Sequence, residues 1–267
     1  MIVDVLLPSV LFLVGVIIVF LYSRLDKKVD RLLGGQELQL KHIILLVAAM
    51  GAMVTVMVFI PEQSILALFS FAYVALLFLF TYLLVPKWYL AVVPPILYLL
   101  SFLYFWNIYL FNFFAIIFGI SVSVYMGSLF TWKTTIGFVS LLTIIDIIQV
   151  LVTGFTVASA EKALELGLPI GVLLPAIPFV DAYMFLGLGD IFFLGLLGIQ
   201  STRKYGRKFG LTSIATMAFV FFLFQTFMLN STIQNFPATV FVISGWLTAL
   251  AARHLYNMFT SKRKVNL

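Results

Sequence analysis

The sequence predicts an all-helical polytopic membrane protein, nine transmembrane helices in a single membrane domain spanning 1–267, and three observations predict it. The 267 residues are 63% hydrophobic and only 10% charged, with 29 Phe, too few polar side chains to coat a water-soluble globule. Apolar runs recur at the length of about 20 residues that a helix needs to cross a hydrocarbon core of ~30 Å. No alternating pattern of barrel-strand length recurs between them.

The first span, about 4–22, enters an apolar run at once with no basic segment before it, the pattern of a retained helix and not of a cleaved signal peptide. Spans two and three fall at about 42–60 and 64–85. Spans four and five, about 88–105 and 109–128, are parted only by Asn107, and Pro94-Pro95 should distort the start of the fourth. Span six, about 134–154, can be prolonged by a helix over Ala158–Leu166. Beyond it, the stretch from Pro169 to Pro175 is too short to cross and is bounded by prolines, so Ile170, Gly171, Val172, Leu173 and Leu174 are expected as a short extended segment. Spans seven, eight and nine, about 182–200, 211–229 and 237–254, complete the set, and Pro237 suits the first turn of the last.

Charge gives an independent check. The loops after spans one, three, five and seven, with the C-terminal tail, hold fifteen of the sixteen Lys and Arg residues, and only Lys162 lies opposite. Positive-inside logic then sets the N-terminus outside and the C-terminus in the cytoplasm. The same placement explains the net charge of +6 by anionic headgroups, and nucleic acid is excluded as a partner. No loop is large enough for an extra-membrane domain, and no internal repeat suggests the inverted halves of many transporters.

Several chemistries are excluded by residue type. Cysteine is absent, which removes disulfides, thiolate metal sites and cysteine nucleophiles together. The two histidines, His42 and His254, lie near the ends of apolar runs, and no His-Glu-x-x-His pair exists to hold zinc. Ser244-Gly245 lacks the preceding glycine of an intramembrane serine nucleophile, and neither histidine is deep enough to serve as its base. Glu62, Glu161, Glu165 and Asp181 belong to the outer interface and do not have the spacing of a calcium loop. Gln149 and Gln225 are expected to hydrogen-bond between helices. Neither metal nor cofactor is expected.

Two aspartates remain inside apolar stretches, Asp146 in span six and Asp190 in span seven. A carboxylate at bilayer depth costs at least ~2.5 kcal/mol, so two of them call for a purpose. Asp146 comes ~18 Å and Asp190 ~15 Å from the cytoplasmic helix ends at 1.5 Å per residue, a matching depth on consecutive antiparallel helices. Two close carboxylates in low dielectric cannot both ionise cheaply and would share a proton, the arrangement of an aspartyl-protease dyad. In such a dyad the ionised member takes a proton from water, which attacks the peptide carbonyl, while the protonated member hydrogen-bonds the carbonyl oxygen. The plainer alternative is a buried structural pair, as close packing of span seven is for the glycines beside Asp190.

Gly187-Leu188-Gly189-Asp190 matches the Gly-x-Gly-Asp motif of the presenilin and signal peptide peptidase family, and Phe185 to Ile191 resembles signal peptide peptidases most. Asp146 with Val150 fits the family's first motif, and Pro237-Ala238-Thr239 stands where the family carries Pro-Ala-Leu. Two departures are visible: Ile145 replaces the usual Tyr before the first aspartate, and Thr239 replaces the Leu. The resemblance implies an intramembrane aspartyl protease acting on transmembrane peptides such as signal-peptide remnants or type II segments, with Asp146 and Asp190 catalytic and the Pro-Ala-Thr segment bordering the cleft. It also implies a scaffold over about 1–128 and a catalytic part over about 129–267. The outward N-terminus selects the signal peptide peptidase orientation and substrates with a cytoplasmic N-terminus. Ile170–Leu174 is then expected to pair with the unwound substrate as an added strand. Two other readings stay open, a proton- or cation-coupled transporter or leak channel and a prepilin-peptidase-like protease of the same motif class. Oligomeric state is left open as well.

Overall fold

The computed structural model describes residues 3–175, 183–231 and 236–265, the last five of these as backbone only. In chain order its helices are α1 (Leu6–Leu32), α2 (Leu40–Phe59), α3 (Glu62–Leu84), α4 (Trp88–Ala91), α5 (Val93–Tyr104), α6 (Ile108–Leu129), α7 (Trp132–Ile147), α8 (Phe155–Glu165), α9 (Leu188–Tyr205), α10 (Arg207–Leu229) and α11 (Ala238–Val265). A π turn, Ile148–Val152, prolongs α7, and strands β1 (Gly171–Pro175) and β2 (Tyr183–Gly187) lie between α8 and α9.

Seven of the described helices are long and apolar enough to cross a bilayer: α1, α2, α3, α6, α7 with its π turn, α10 and α11. The protein is therefore a predominantly helical, multi-pass integral membrane protein with one short β-hairpin. The other two expected spans do not qualify, one by length and the other, α9 with its Gln200 to Tyr205 end, by polarity. Residues 88–104 form an apolar helix interrupted at Val92, with Pro94 and Pro95 in the first turn of α5, where a missing N–H breaks no helical bond. Asn107 does part this helix from the next, its Oδ1 accepting the Tyr109 and Leu110 N–H groups at 3.0 Å to start α6. Span seven, expected as continuous helix from about 182, is strand through Gly187 and helix only from Leu188. An apolar run this short carries no period that tells strand from helix, and the pairing of Gly171–Pro175 with Tyr183–Gly187 decides it.

The core is organised around α9, in which every residue from Ile191 to Ser201 is buried. Lipid tails are as apolar as leucine, so helices associate here by close packing, and small residues set how close. Ile191 and Ile199 of α9 occupy the notches at Gly119 and Gly127 of α6, and Leu194 occupies that at Gly15 of α1. Gly195 in turn receives Ser123 of α6, and Gly198 receives Ile214 of α10. Gln200 Nε2 donates to the Gly127 and Phe130 carbonyls at 2.9 and 2.8 Å, and Arg203 to Phe130 at 2.9 Å, closing the open carbonyl end of α6. Trp246 Nε1 ties α11 to Ser201 at 3.0 Å.

A second, aromatic core joins α3, α5 and α6 to the segment leading into the hairpin. Tyr73 stacks on Phe118 at 4.0 Å, and Tyr98 meets Phe114 edge-on at 5.0 Å. Trp106 Nε1 donates to the Gly167 carbonyl at 2.9 Å, anchoring the chain just before β1. Lys162, the lone cation on its side in the charge count, caps α2: its Nζ reaches the carbonyls of Met57, Val58 and Ile60 at 3.2, 3.2 and 2.6 Å.

Candidate active site

Asp146 sits in the last turn of α7 and Asp190 in the first turn of α9. Counting from Trp132 to Asp146 and from Asp190 to Tyr205 puts the carboxylates ~21 Å from the N-terminal end of α7 and ~22 Å from the C-terminal end of α9. The matching depth survives the redrawn boundaries. Asp146 and Asp190 come close enough for their carboxylates to act on one another electrostatically.

Each motif residue has a local physical reason. Gly187 is extended, with φ −64° and ψ 149°, and caps α9, so Asp190 is the third residue of the helix. A carboxylate there is placed to face back toward the cap, and Asp190 Oδ2 lies beside Gly187. Gly-Leu-Gly-Asp is thus a strand-to-helix junction. A Cβ on Gly187 would stand 3.2 Å from Asp190 Oδ2, whereas one on Gly189 would meet nothing within 4 Å. Gly189 therefore packs against no neighbour, and the close packing anticipated for the motif glycines falls to Gly195 and Gly198. Leu188 keeps the ladder going, its N–H donating to Ile170 O at 2.9 Å.

Pro237 is buried, and Ala238 starts α11. Thr239, also buried, donates its hydroxyl to Asp146 Oδ2 at 2.5 Å. The Pro-Ala-Thr segment thus meets the aspartate pair through Asp146, by a hydroxyl that leucine at this position could not supply. Ile145, the other departure from the family pattern, turns toward Gly51 of α2. It lines a groove of about 430 Å³ with Ala52, Thr55, Ile148 and Gln149. Gln149 Nε2 ties the two sides together, donating to Gly51 O at 2.8 Å and to Thr55 Oγ1 at 3.3 Å. Gln225 likewise ties α10 to the segment just before α1, donating to the buried Asp4 Oδ2 at 2.8 Å. Glu62, Glu161 and Glu165 are exposed, and Asp181 lies outside the described residues.

The expected extended segment is strand β1, and its partner β2 was not anticipated. They pair antiparallel in the register Gly171↔Gly187, Val172↔Leu186, Leu173↔Phe185, Leu174↔Met184 and Pro175↔Tyr183. Val172 and Leu186 face the core and are fully buried. Gly171 leaves room for the Phe185 ring, which a side chain there would strike. Asn112 of α6 occupies Leu173 from the other side: Leu173 N–H donates to Asn112 Oδ1 and Asn112 Nδ2 donates to Leu173 O, each at 2.7 Å. Antiparallel pairs alternate between residues bonded across the ladder and residues whose groups point away. Leu173 points away from β2, so its partner Phe185 points away from β1.

This corrects the expectation that Ile170–Leu174 offers the free edge. The centre of the β1 edge is closed by Asn112, and among the described residues nothing takes the outward N–H and C=O of Phe185. The open edge belongs to β2, immediately before Asp190. Asn112 was legible only as a lone polar residue among Phe111, Phe113 and Phe114. No protein-family model matches this chain, and no curated protein matches it either.

Proposed function

We propose that this chain is an intramembrane aspartyl protease of nine spans that hydrolyses peptide bonds within single transmembrane helices, with its N-terminus outside and its C-terminus cytoplasmic. The observation that carries the reading is that Asp146 of α7 and Asp190 of α9 lie within electrostatic range of one another, beside a strand edge with no partner among the described residues. A transmembrane helix has its backbone groups paired internally, so a scissile bond is reached only after local unwinding. The freed groups then need partners where water is scarce, and Phe185 offers one N–H and one C=O on the strand that runs into Asp190. Gly189, next to Asp190, has nothing within 4 Å of where a side chain would stand.

The chemistry needs one proton shared by the pair. The ionised carboxylate removes a proton from water as its oxygen bonds to the scissile carbon, and the carboxylic acid donates a hydrogen bond to the carbonyl oxygen. Collapse of the tetrahedral intermediate breaks the C–N bond, and the leaving amine takes a proton from the pair. Thr239 holds one Asp146 oxygen and leaves the other for water. The substrates are transmembrane peptides such as signal-peptide remnants or type II segments.

The test is cleavage of a reporter transmembrane helix by the purified protein in liposomes, with ion flux measured in parallel. Cleavage that disappears in Asp190→Asn, without ion flux in the parent, supports the protease. Flux that depends on Asp190 without cleavage would favour the transporter or channel.

A further inference from the structure

Asn112 makes the two edges of the hairpin unequal. Its side chain meets Leu173 with one donor and one acceptor, as a neighbouring strand would, from a helix 61 positions away in the sequence. Asparagine is a poor helix former, and a polar side chain inside an apolar span needs a partner, so neither helix propensity nor lipid contact accounts for it. On the other edge Phe185 is left without a partner among the described residues. A hairpin whose outer groups were all unpaired could accept an added strand on either side, and only one side runs into Asp190.

We infer that Asn112 is a positioning residue that closes the β1 edge by imitating a strand, so that an unwound substrate can add only along β2, next to the aspartates. This rests on the protease reading for its consequence, although edge closure itself is a binding property. Substrate captured on β1 would lie one strand further from Asp190, bound and uncut. Losing Asn112 therefore lowers productive binding and blurs the cleavage position, because the register along β2 no longer has priority.

The absence of native cysteine makes disulfide trapping clean. In the uncut background of Asp190→Asn, single cysteines are introduced as Phe185→Cys or Leu173→Cys, and a transmembrane peptide carries one cysteine in turn along its length. With Asn112 present, trapping is expected at Phe185→Cys alone; with Asn112→Ala, it is expected at Leu173→Cys as well. In the Asp190-bearing protein, Asn112→Ala should lower kcat/KM about tenfold, the scale of one lost hydrogen-bonding pair, and spread the products over neighbouring bonds by mass spectrometry. Asn112→Asp keeps the acceptor for the Leu173 N–H and loses the donor, and should fall between.

Hydrogen exchange guards against a mere folding defect. Asn112→Ala should expose the Leu173 amide while Val172 and Leu174, bonded across the ladder, stay protected. Trapping confined to Phe185→Cys in Asn112→Ala would overturn the role in edge choice, whatever happened to cleavage. General loss of protection across the hairpin would do the same, making Asn112 a plain structural support. Trapping that shifts as expected in a protein that never cleaves would sink the protease reading and leave edge closure standing.

Discussion

The two ends of α9 use the same residue type for opposite purposes. From Ile191 to Ser201 the helix is wholly buried, and Gly195 and Gly198 are glycines because Ser123 and Ile214 fill the space a side chain would need. In its first turn Gly189 faces open space, and Gly187 bends strand into helix beside the Asp190 carboxylate. The buried end is defined by filled volume, and the exposed end by groups left unfilled: an open position at Gly189 and unpaired main chain at Phe185. In a membrane protein, where close packing supplies most of the cohesion, vacant space and backbone without a described partner next to a carboxylate are what the proposed protease chemistry would need.

Substitutions can break this contrast in either half. The largest effect should come from Phe185→Pro, which removes an N–H pointing away from β1 and leaves the ladder to β1 intact. Proline is tolerated on an edge strand in that orientation. Cleavage of every substrate should fall by about 10²-fold, on the scale of a buried backbone group denied its partner, with the melting temperature kept. Next is Gly195→Ala, whose methyl meets Ser123 and Ile18 and should destabilise the fold by about 1–3 kcal/mol, measured by chemical or thermal unfolding in micelles.

Thr239→Val deletes the hydroxyl on Asp146 and keeps the shape, and should lower kcat about tenfold, with Thr239→Ser restoring it. Thr239→Leu should fare no better than Thr239→Val, although leucine is the residue the resemblance leads one to expect. The smallest effect on stability belongs to Gly189→Ala, which meets nothing and gains up to about 1 kcal/mol of helix propensity. Its melting point should hold or rise while cleavage drops. If Gly189→Ala destabilises the protein as much as Gly195→Ala does, the two ends of α9 are not different in kind.

What was legible in the sequence follows from what depends on composition and what depends on contact. The long spans and the depth of the two aspartates are one-dimensional properties, and the seven longest apolar helices lie where the hydropathy put them. Asn107 as a break between spans and the bridging roles of Gln149 and Gln225 follow from the needs of polar groups in apolar surroundings. The strand character of Tyr183–Gly187 was hidden, because five apolar residues become strand only when a second extended segment lies alongside. The closed edge was hidden for the same reason, since it needs Asn112 brought to Leu173 by the fold. Thr239 was visible as a departure, but its use appears only when α11 is set against α7.

The central claim is that Asp146 and Asp190 act as one catalytic unit. Its most direct test is the cleavage rate of a reporter transmembrane helix by purified protein in nanodiscs, for the parent, Asp146→Asn, Asp190→Asn and the double variant, with melting temperatures alongside. Groups that act together fail together, so the two single variants and the double variant should drop to one common floor, about 10²–10⁴-fold below the parent or lower, with the fold intact. Cleavage persisting in either single variant, or losses that multiply in the double variant, would contradict the account.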